Sequence, residues 1–330
     1  MPTSDARPAA FPCDLAALPA SLRGGVVAIG NFDGMHRGHQ AVLADTRQAA
    51  DAIGAPALAL TFEPHPRSFF RPDQPVFRLT PLHAKALIAE ALELDGLVFT
   101  PFDADFAASP PERFVDEVIV GRLGARQVVV GWDFHFGAKR AGNAEYLVEA
   151  GKRHGFDVTI VGPFDDEGGE TISSSRIRMA LARGDLALAS GLLGYRWFFE
   201  GVVKDGDKRG RTIGYPTANI ALAPECELRQ GIYAVMAEVD GERHSGVASY
   251  GRRPTFDNGA PVFETFIFDF TGDLYGKTLR VTPVSYLRGE EKFDSVEALI
   301  AQMDKDSEEA RAVLAGITPV SGLDTRLMFG

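Results

Sequence analysis

Gly25-Val26-Val27-Ala28-Ile29-Gly30-Asn31-Phe32-Asp33-Gly34-Met35-His36-Arg37-Gly38-His39 is the stretch that decides how the first half of this chain folds. Its opening five residues are apolar, as a short buried strand requires. Gly30 to Gly34 then punctuate the chain, and a polar helical stretch follows. A strand that runs through a glycine-rich turn into a helix is the repeating unit of a parallel α/β sheet. Two imidazoles three positions apart, His36 and His39, share one face of the first helical turn. They stand beside helix-start N–H groups that lack helical partners and favour phosphate. Gly38 lets a nucleotide approach the backbone. Either histidine alone would read as a surface residue opening a helix; their joint placement points to phosphoryl chemistry.

The same alternation extends outward. Apolar, β-rich runs at 57–62, 96–100, 127–130 and 158–161 are separated by longer amphipathic stretches. Ser109-Pro110-Pro111-Glu112 reads as a helix start with Ser109 as the cap and Glu112 completing a capping box. Thr80-Pro81 opens a helix to about Leu92, and Ser173 to Ser175 one through Ala182. Beyond 183–195 strands dominate: 197–203, 232–239, 245–249, 262–270 and 279–286, broken by Gly, Pro and Asp. They predict a small antiparallel β-barrel, closed by a helix from Asp294 or Ser295 that packs Leu299, Ile300 and Met303 on it. The expected architecture is therefore an α/β parallel-sheet domain over 1–190 and a barrel domain with a C-terminal helix over 191–330.

The 330 residues, 45% apolar and 24% charged, suffice for two cores. A net charge of −11 gives no footprint for nucleic acid or an anionic membrane, so phosphate binding must come from local sites and the partner is a small molecule. Cys13 and Cys226 are far apart and outside any metal-like cluster. No run reaches the about 18 apolar residues of a membrane span. The expected location is the cytoplasm.

Further motifs carry chemistry. Ile172-Ser173-Ser174-Ser175-Arg176-Ile177-Arg178 places hydroxyls and forked guanidinium groups at a helix start, where they can grip phosphate oxygens bidentately. In the second half, a Gly/Lys/Arg-rich loop leads into Gly210-Arg211-Thr212-Ile213-Gly214-Tyr215-Pro216-Thr217-Ala218-Asn219. Such a loop can wrap phosphates with backbone N–H groups, although similar runs often form solvated hairpins. Thr217 and Asn219 lie on one side of an extended segment and offer the oxygen ligands magnesium accepts. Glu264, in Val262-Phe263-Glu264-Thr265-Phe266, faces away from Phe263 and Thr265.

The residues Gly30 to His39 look like the signature of the HxGH nucleotidylyltransferase superfamily. Their particular form resembles the prokaryotic bifunctional riboflavin kinase/FAD synthetase family. Thr61-Phe62-Glu63-Pro64-His65-Pro66, Gly131-Trp132-Asp133-Phe134-His135-Phe136-Gly137 and the Ser173–Arg178 motif extend that resemblance. The Pro216-Thr217-Ala218-Asn219 tetrad resembles the riboflavin kinase signature. Gly231-Ile232-Tyr233, Gly246-Val247-Ala248, Arg253-Pro254-Thr255-Phe256, Leu274-Tyr275-Gly276, Leu287-Arg288 and Lys292-Phe293 follow in the family's order. The resemblance implies phosphorylation of riboflavin to FMN in the C-terminal half and adenylylation of FMN to FAD in the N-terminal half, with ATP as co-substrate and Mg2+. It implies His36 and His39 on the phosphates, Ser174, Arg176 and Arg178 on the departing pyrophosphate, and Gly30, Phe32, Asp33, Gly38 and Asp133 around nucleotide and flavin. It further implies Gly210, Thr217 and Asn219 on Mg·ATP, with Thr217 and Asn219 as metal ligands, and Glu264 as general base. Transient delivery of flavin to apo-flavoproteins is the one macromolecular partnership it suggests.

Two positions depart from the pattern: many relatives carry arginine where this chain has His135, and an acidic residue where it has Asn143. Such departures would suit a flavin-binding protein with decayed sites, and a kinase-only enzyme would stop at FMN. HxGH enzymes also adenylylate or cytidylylate other phosphorylated metabolites. Tyr250, Phe256 and Phe268 are aromatics of the second half that could stack on a flavin, with no choice among them at this level.

Overall fold

The computed structural model describes residues 10–204, 215–252 and 261–330. Gly210 and the Arg253–Phe256 segment lie outside them. The chain divides into two compact units, Met1–Ser174 and Ser175–Gly330.

In the first unit β1 (Ala10–Asp14), β2 (Val26–Ile29), β3 (Ala57–Glu63), β4 (Gly96–Pro101), β5 (Gln127–Gly131) and β8 (Asp157–Val161) form one parallel sheet in the order β1-β4-β3-β2-β5-β8. β6 (His135–Phe136) and β7 (Gly142–Asn143) make a small separate hairpin. The sheet is covered on both faces, which accounts for its continuous apolar strands. On one face Val27, Ile29, Leu58, Leu60, Val98, Val128 and Val130 share a core with Phe114, Val115, Val118 and Ile119 and with Leu147 and Ala150. These come from α5 (Pro111–Arg113, continuing as a π-helical stretch Phe114–Leu123) and α6 (Ala144–His154). The alternate strand residues face the other way: α1 (Arg37–Ile53) packs on β2, β3 and β5, and α3 (Leu82–Ala91) on β1 and β4. Two short helices, α2 (Pro66–Phe70) and α4 (Ala104–Ala108), complete the connections.

Ser109 does not cap the helix expected after it. Its hydroxyl donates to the Phe106 carbonyl at 2.6 Å and closes α4, while Pro110 is the N-cap of α5 without a side-chain bond. Pro111 does take the first helical turn. The π-helical continuation carries this element to Leu123.

The second unit begins with α7 (Ser174–Arg183) and α8 (Leu186–Leu193), the former held to it where the Arg229 N–H and guanidinium donate to the Leu181 and Arg183 carbonyls, each at 3.0 Å. Its sheet runs β10-β13-β12-β11-β14-β9, antiparallel throughout, from β9 (Phe199–Val202), β10 (Ala218–Ala221), β11 (Gly231–Val239), β12 (Glu242–Arg252), β13 (Pro261–Ile267) and β14 (Thr278–Arg288). The edges meet where the Lys204 N–H donates to the Asn219 carbonyl at 3.0 Å, so the barrel is nearly closed. Asp240-Gly241, both at positive φ (53° and 81°), form the two-residue turn between β11 and β12. The closing helix α9 (Val296–Ala315), capped by Ser295, packs on β11, β12 and β14, burying Ala310 and Leu314 against Ala234, Val247 and Phe268. Leu299 and Met303, expected on the barrel-facing side of this helix, line a cavity shared with barrel residues. Among the described residues no helix is long and apolar enough to cross a membrane.

Candidate active sites

The 30–36 turn of the first unit is an inward-folded loop. Phe32, Gly34 and Met35 take positive φ values of 47°, 86° and 37°, and Phe32, Asp33 and Met35 are buried. Thr80 clamps it from outside the segment. Its N–H donates to Asp33 Oδ1 at 3.1 Å, its hydroxyl oxygen accepts from Gly34 N–H at 2.7 Å, and its hydroxyl lies 3.3 Å from the Phe32 carbonyl. Asp33 and Phe32 thus shape the turn from within. At Gly30 a Cβ would come within 3.1 Å of the Phe32 ring, so a side chain there would push that ring from its place in the loop.

His36 is the N-cap of α1: its Nδ1 accepts the His39 N–H at 3.3 Å. A ring that accepts at Nδ1 in its neutral form carries its proton on Nε2, available to an incoming oxyanion. The His36 and His39 rings stack with centroids 3.7 Å apart and 17° between planes. Sequence spacing anticipated the shared face; the cap it did not. A Cβ on Gly38 would meet the His36 ring at 3.3 Å and Phe164 at 3.5 Å, so this glycine makes room for the imidazole as well. Burial lowers the His36 pKa to about 4, against the opposing pull of Asp33. Burial, His36 and Lys85 together hold His39 well below the ordinary histidine value. His39 Nδ1 is buried without a hydrogen-bond partner. The pair is therefore neutral at pH 7.

Beyond the sheet edge the chain returns over this helix start. Arg37 pairs with Glu167 at 2.7 Å and lies over the Phe164 ring at 5.5 Å. The Ser174 hydroxyl donates to the Asp33 carbonyl at 2.8 Å, tying the second motif to the first turn. Arg176 and Arg178 follow in the opening turns of α7. Asp133 is exposed, and Gly131 leaves it room: a Cβ there would lie 3.2 Å from Asp133 Oδ1. Asn143 caps α6, accepting the Tyr146 N–H at 2.9 Å.

In the second unit Asn219 and Glu264 are direct partners across β10 and β13, and Ser249 of β12 is the next in that row. Directly opposed residues of an antiparallel pair share a face, so the amide and the carboxylate stand side by side. That face is the outer one, since Phe263, Thr265 and Ile267 of β13 are buried and Glu264 and Phe266 are only half-buried. Asn219 Nδ2 reaches the Thr217 carbonyl at 3.4 Å, while its Oδ1 is buried without a hydrogen-bond partner.

Glu264, Thr217 and Ser249 line a cavity of about 240 Å3 between the barrel and α9. Phe266, Phe293, Leu299 and Met303 make it apolar on one side. Arg288, bonded twice to Asp306 at 2.8 and 2.6 Å, braces its wall, and Tyr215 donates to Asp304 on α9. Glu290 shares the cavity, and its own burial, then Glu264, raise its pKa. Tyr250 and Phe268 are buried in cores, so the aromatics that line the cavity are Tyr215, Phe266 and Phe293. Sequence patterning missed Phe266 because strand aromatics facing in and out look alike until the register is known, and Tyr215 and Phe293 because they lie outside the strands, where no alternation marks them. Thr80 and Lys85 were missed for a similar reason: they lie more than forty positions from the turn they serve.

A family model described as FAD synthetase matches residues 18–176, and one described as riboflavin kinase matches residues 193–314. The bifunctional riboflavin kinase/FMN adenylyltransferase of Haemophilus influenzae is 40% identical over 292 residues, 88% of this chain and 94% of that one. The protein of the same name from Escherichia coli K12 is 39% identical over 293 residues, 88% of this chain and 93% of that one. A crystal structure described as a macrolide-efflux protein from Streptococcus pneumoniae matches with a TM-score of 0.79 and 32% identity, covering 91% of this chain and 99% of that one.

Proposed function

The chain belongs to the bifunctional riboflavin kinase/FMN adenylyltransferase family, and from that premise we propose how its own residues divide the two reactions. The enzyme phosphorylates riboflavin to FMN and adenylylates FMN to FAD, using ATP in both steps. We place the functional division near residue 190, in the interval 177–192 between the two matched segments.

In the kinase half, Glu264 takes the proton of the ribityl primary hydroxyl as that oxygen attacks the γ-phosphorus of ATP, and the bond to the bridging oxygen breaks to release ADP. The observation that carries this reading is the Asn219–Glu264 pair, in which a carboxylate that lines the cavity stands opposite an amide whose buried oxygen has no hydrogen-bond partner. That oxygen and the Thr217 hydroxyl fit magnesium, a hard cation that takes oxygen ligands. Among the described residues no cluster of three or more His, Cys, Asp or Glu side chains suits a metal, so the remaining ligands would be phosphate oxygens and water. Magnesium, when bound, supplies charge neutralisation at the transferring phosphoryl group. The flavin rings lie against Phe266 or Phe293 in the cavity, and the phosphate-binding role of Gly210, outside the described residues, rests on the sequence motif alone.

In the adenylyltransferase half, the FMN phosphate attacks the α-phosphorus of ATP and pyrophosphate leaves. No enzyme nucleophile is required. Neutral His36 donates Nε2–H to the phosphoryl oxygens, His39 lies stacked against it, and Ser174, Arg176 and Arg178 hold the β- and γ-phosphates. Gly30, Phe32, Asp33 and Gly38 give the turn its shape, and Asp133 sits on the flavin side. The product passes transiently to apo-flavoproteins, in the cytoplasm.

The test is incubation with riboflavin, ATP and Mg2+, following FMN and FAD by chromatography. FMN should rise first and FAD after it. FMN alone would remove the N-terminal assignment, and no conversion would remove both.

A further inference from the structure

Lys85, on α3, is fully buried. Its ammonium donates to Thr61 Oγ1 at 3.1 Å and lies 3.6 Å from Glu63 Oε1. Thr61 in turn donates to the Asn31 carbonyl of the glycine turn at 3.0 Å, and Glu63 is held by both terminal nitrogens of Arg78. A lysine side chain is rarely buried, because desolvating its charge is costly unless something offsets it. Here the Glu63 carboxylate and the Thr61 hydroxyl offer the offset.

We propose that Lys85 is a positioning residue for FMN adenylylation: anchored by Thr61 and Glu63, it holds a fixed positive charge behind His39 and braces the Asn31 carbonyl of the phosphate-binding turn. This rests on reading the His36–His39 turn as the phosphate site. Lys85 touches no substrate in this scheme. It acts by adding a preorganised positive field where negative charge grows on the transferring phosphoryl group, and such a field costs no reorganisation during the reaction. It also keeps the His39 ring neutral beside a polyanion that would otherwise draw a proton onto it.

The charged and titratable groups that face Lys85 are Arg78, Glu63 and Asp33, with the neutral His39 ring on α1. Burial, then Arg78, lowers the Lys85 pKa to about 8, against Glu63 and Asp33. The field therefore fades as pH rises through about 8. Arginine at this position would keep its charge throughout.

The experiment measures kcat/KM for FAD formation from pH 7 to 9.5 in the full chain, as wild type, Lys85→Arg and Lys85→Met, with FMN formation on the same preparations as a concentration control. The wild type should lose activity above about pH 8. Lys85→Arg should be active without that loss. Lys85→Met should be roughly 10–100-fold slower at pH 7, less than the about 10²–10³-fold cost of deleting a donor that touches the transition state. A wild-type profile flat to pH 9.5 overturns the proposal without any variant having to fold. So does a Lys85→Arg profile that keeps the alkaline loss, or a Lys85→Met protein within about threefold of wild type. His39→Ala separates the two readings: if it leaves FAD formation intact the histidine site itself is wrong, and if it abolishes FAD formation while Lys85 proves silent, only this inference fails.

Discussion

His135 and Asn143 face each other across the β6–β7 hairpin. The two positions at which the chain departs from its resemblance are thus partners in one hairpin. Asn143 also caps α6. Arg140 places its Nη2 3.0 Å from His135 Nδ1.

If the hairpin meets the FMN phosphate, His135→Arg will tighten its hold on that group. The kcat/KM for FMN should rise in the variant, because a guanidinium fork can bind phosphate oxygens bidentately. An unchanged kcat/KM would refute any role for this position in phosphate binding.

The two reactions should separate cleanly by mutation. His39→Ala should abolish FAD formation and leave FMN formation intact. Glu264→Ala should reduce FMN formation by about 10²–10⁴-fold, the usual share of a general base, while FAD formation from supplied FMN persists. Chromatography of both products settles it; loss of both activities in either folded variant would contradict the division.

Asn219→Ala should raise the magnesium concentration needed for half-maximal FMN formation, since it deletes the buried oxygen that lacks a protein partner. Asn219→Asp should lower it, because a carboxylate is the stronger ligand for a hard cation. A magnesium titration indifferent to both substitutions would move the metal elsewhere.

The buried His36 ties stability to pH. Its folded pKa of about 4 lies below the ordinary 6.5, so between these values the unfolded chain binds a proton that the folded ring does not. Stability is complete above about pH 6.5 and is lost as pH falls towards 4, by up to roughly 3 kcal/mol from this ring alone. His39 acts in the same direction. Thermal melts should show the N-terminal unit weakening over this range, and less so in His36→Asn, which retains a cap acceptor. Identical acid profiles would show that the ring is not buried in solution.

Much of the fold was legible because it is written locally. Apolar runs of four to six residues separated by amphipathic stretches marked five of the six parallel strands, and alternation in Val262 to Phe266 set Glu264 opposite Phe263 and Thr265. β1, interrupted by Pro12, and β10, only Ala218–Ala221, were too short or too broken to register. Ser109 misled because a serine before Pro-Pro can as easily end one helix as begin the next, and its hydroxyl found the Phe106 carbonyl behind it.

What the sequence determined by itself is the part set by spacing along one element: two imidazoles three apart on a helix start, two oxygen-bearing side chains two apart on an extended segment, and a carboxylate on the strand side opposite Phe263 and Thr265. What only the tertiary structure decided is which distant groups complete them. Thr80 closes the glycine turn, Lys85 charges the ground behind it, Asn219 stands opposite Glu264, and Phe266 and Phe293 line the cavity. Those partnerships rest on strand register and helix packing between segments far apart in the chain. Backbone periodicity fixes which way a side chain points but carries no information about what it will meet.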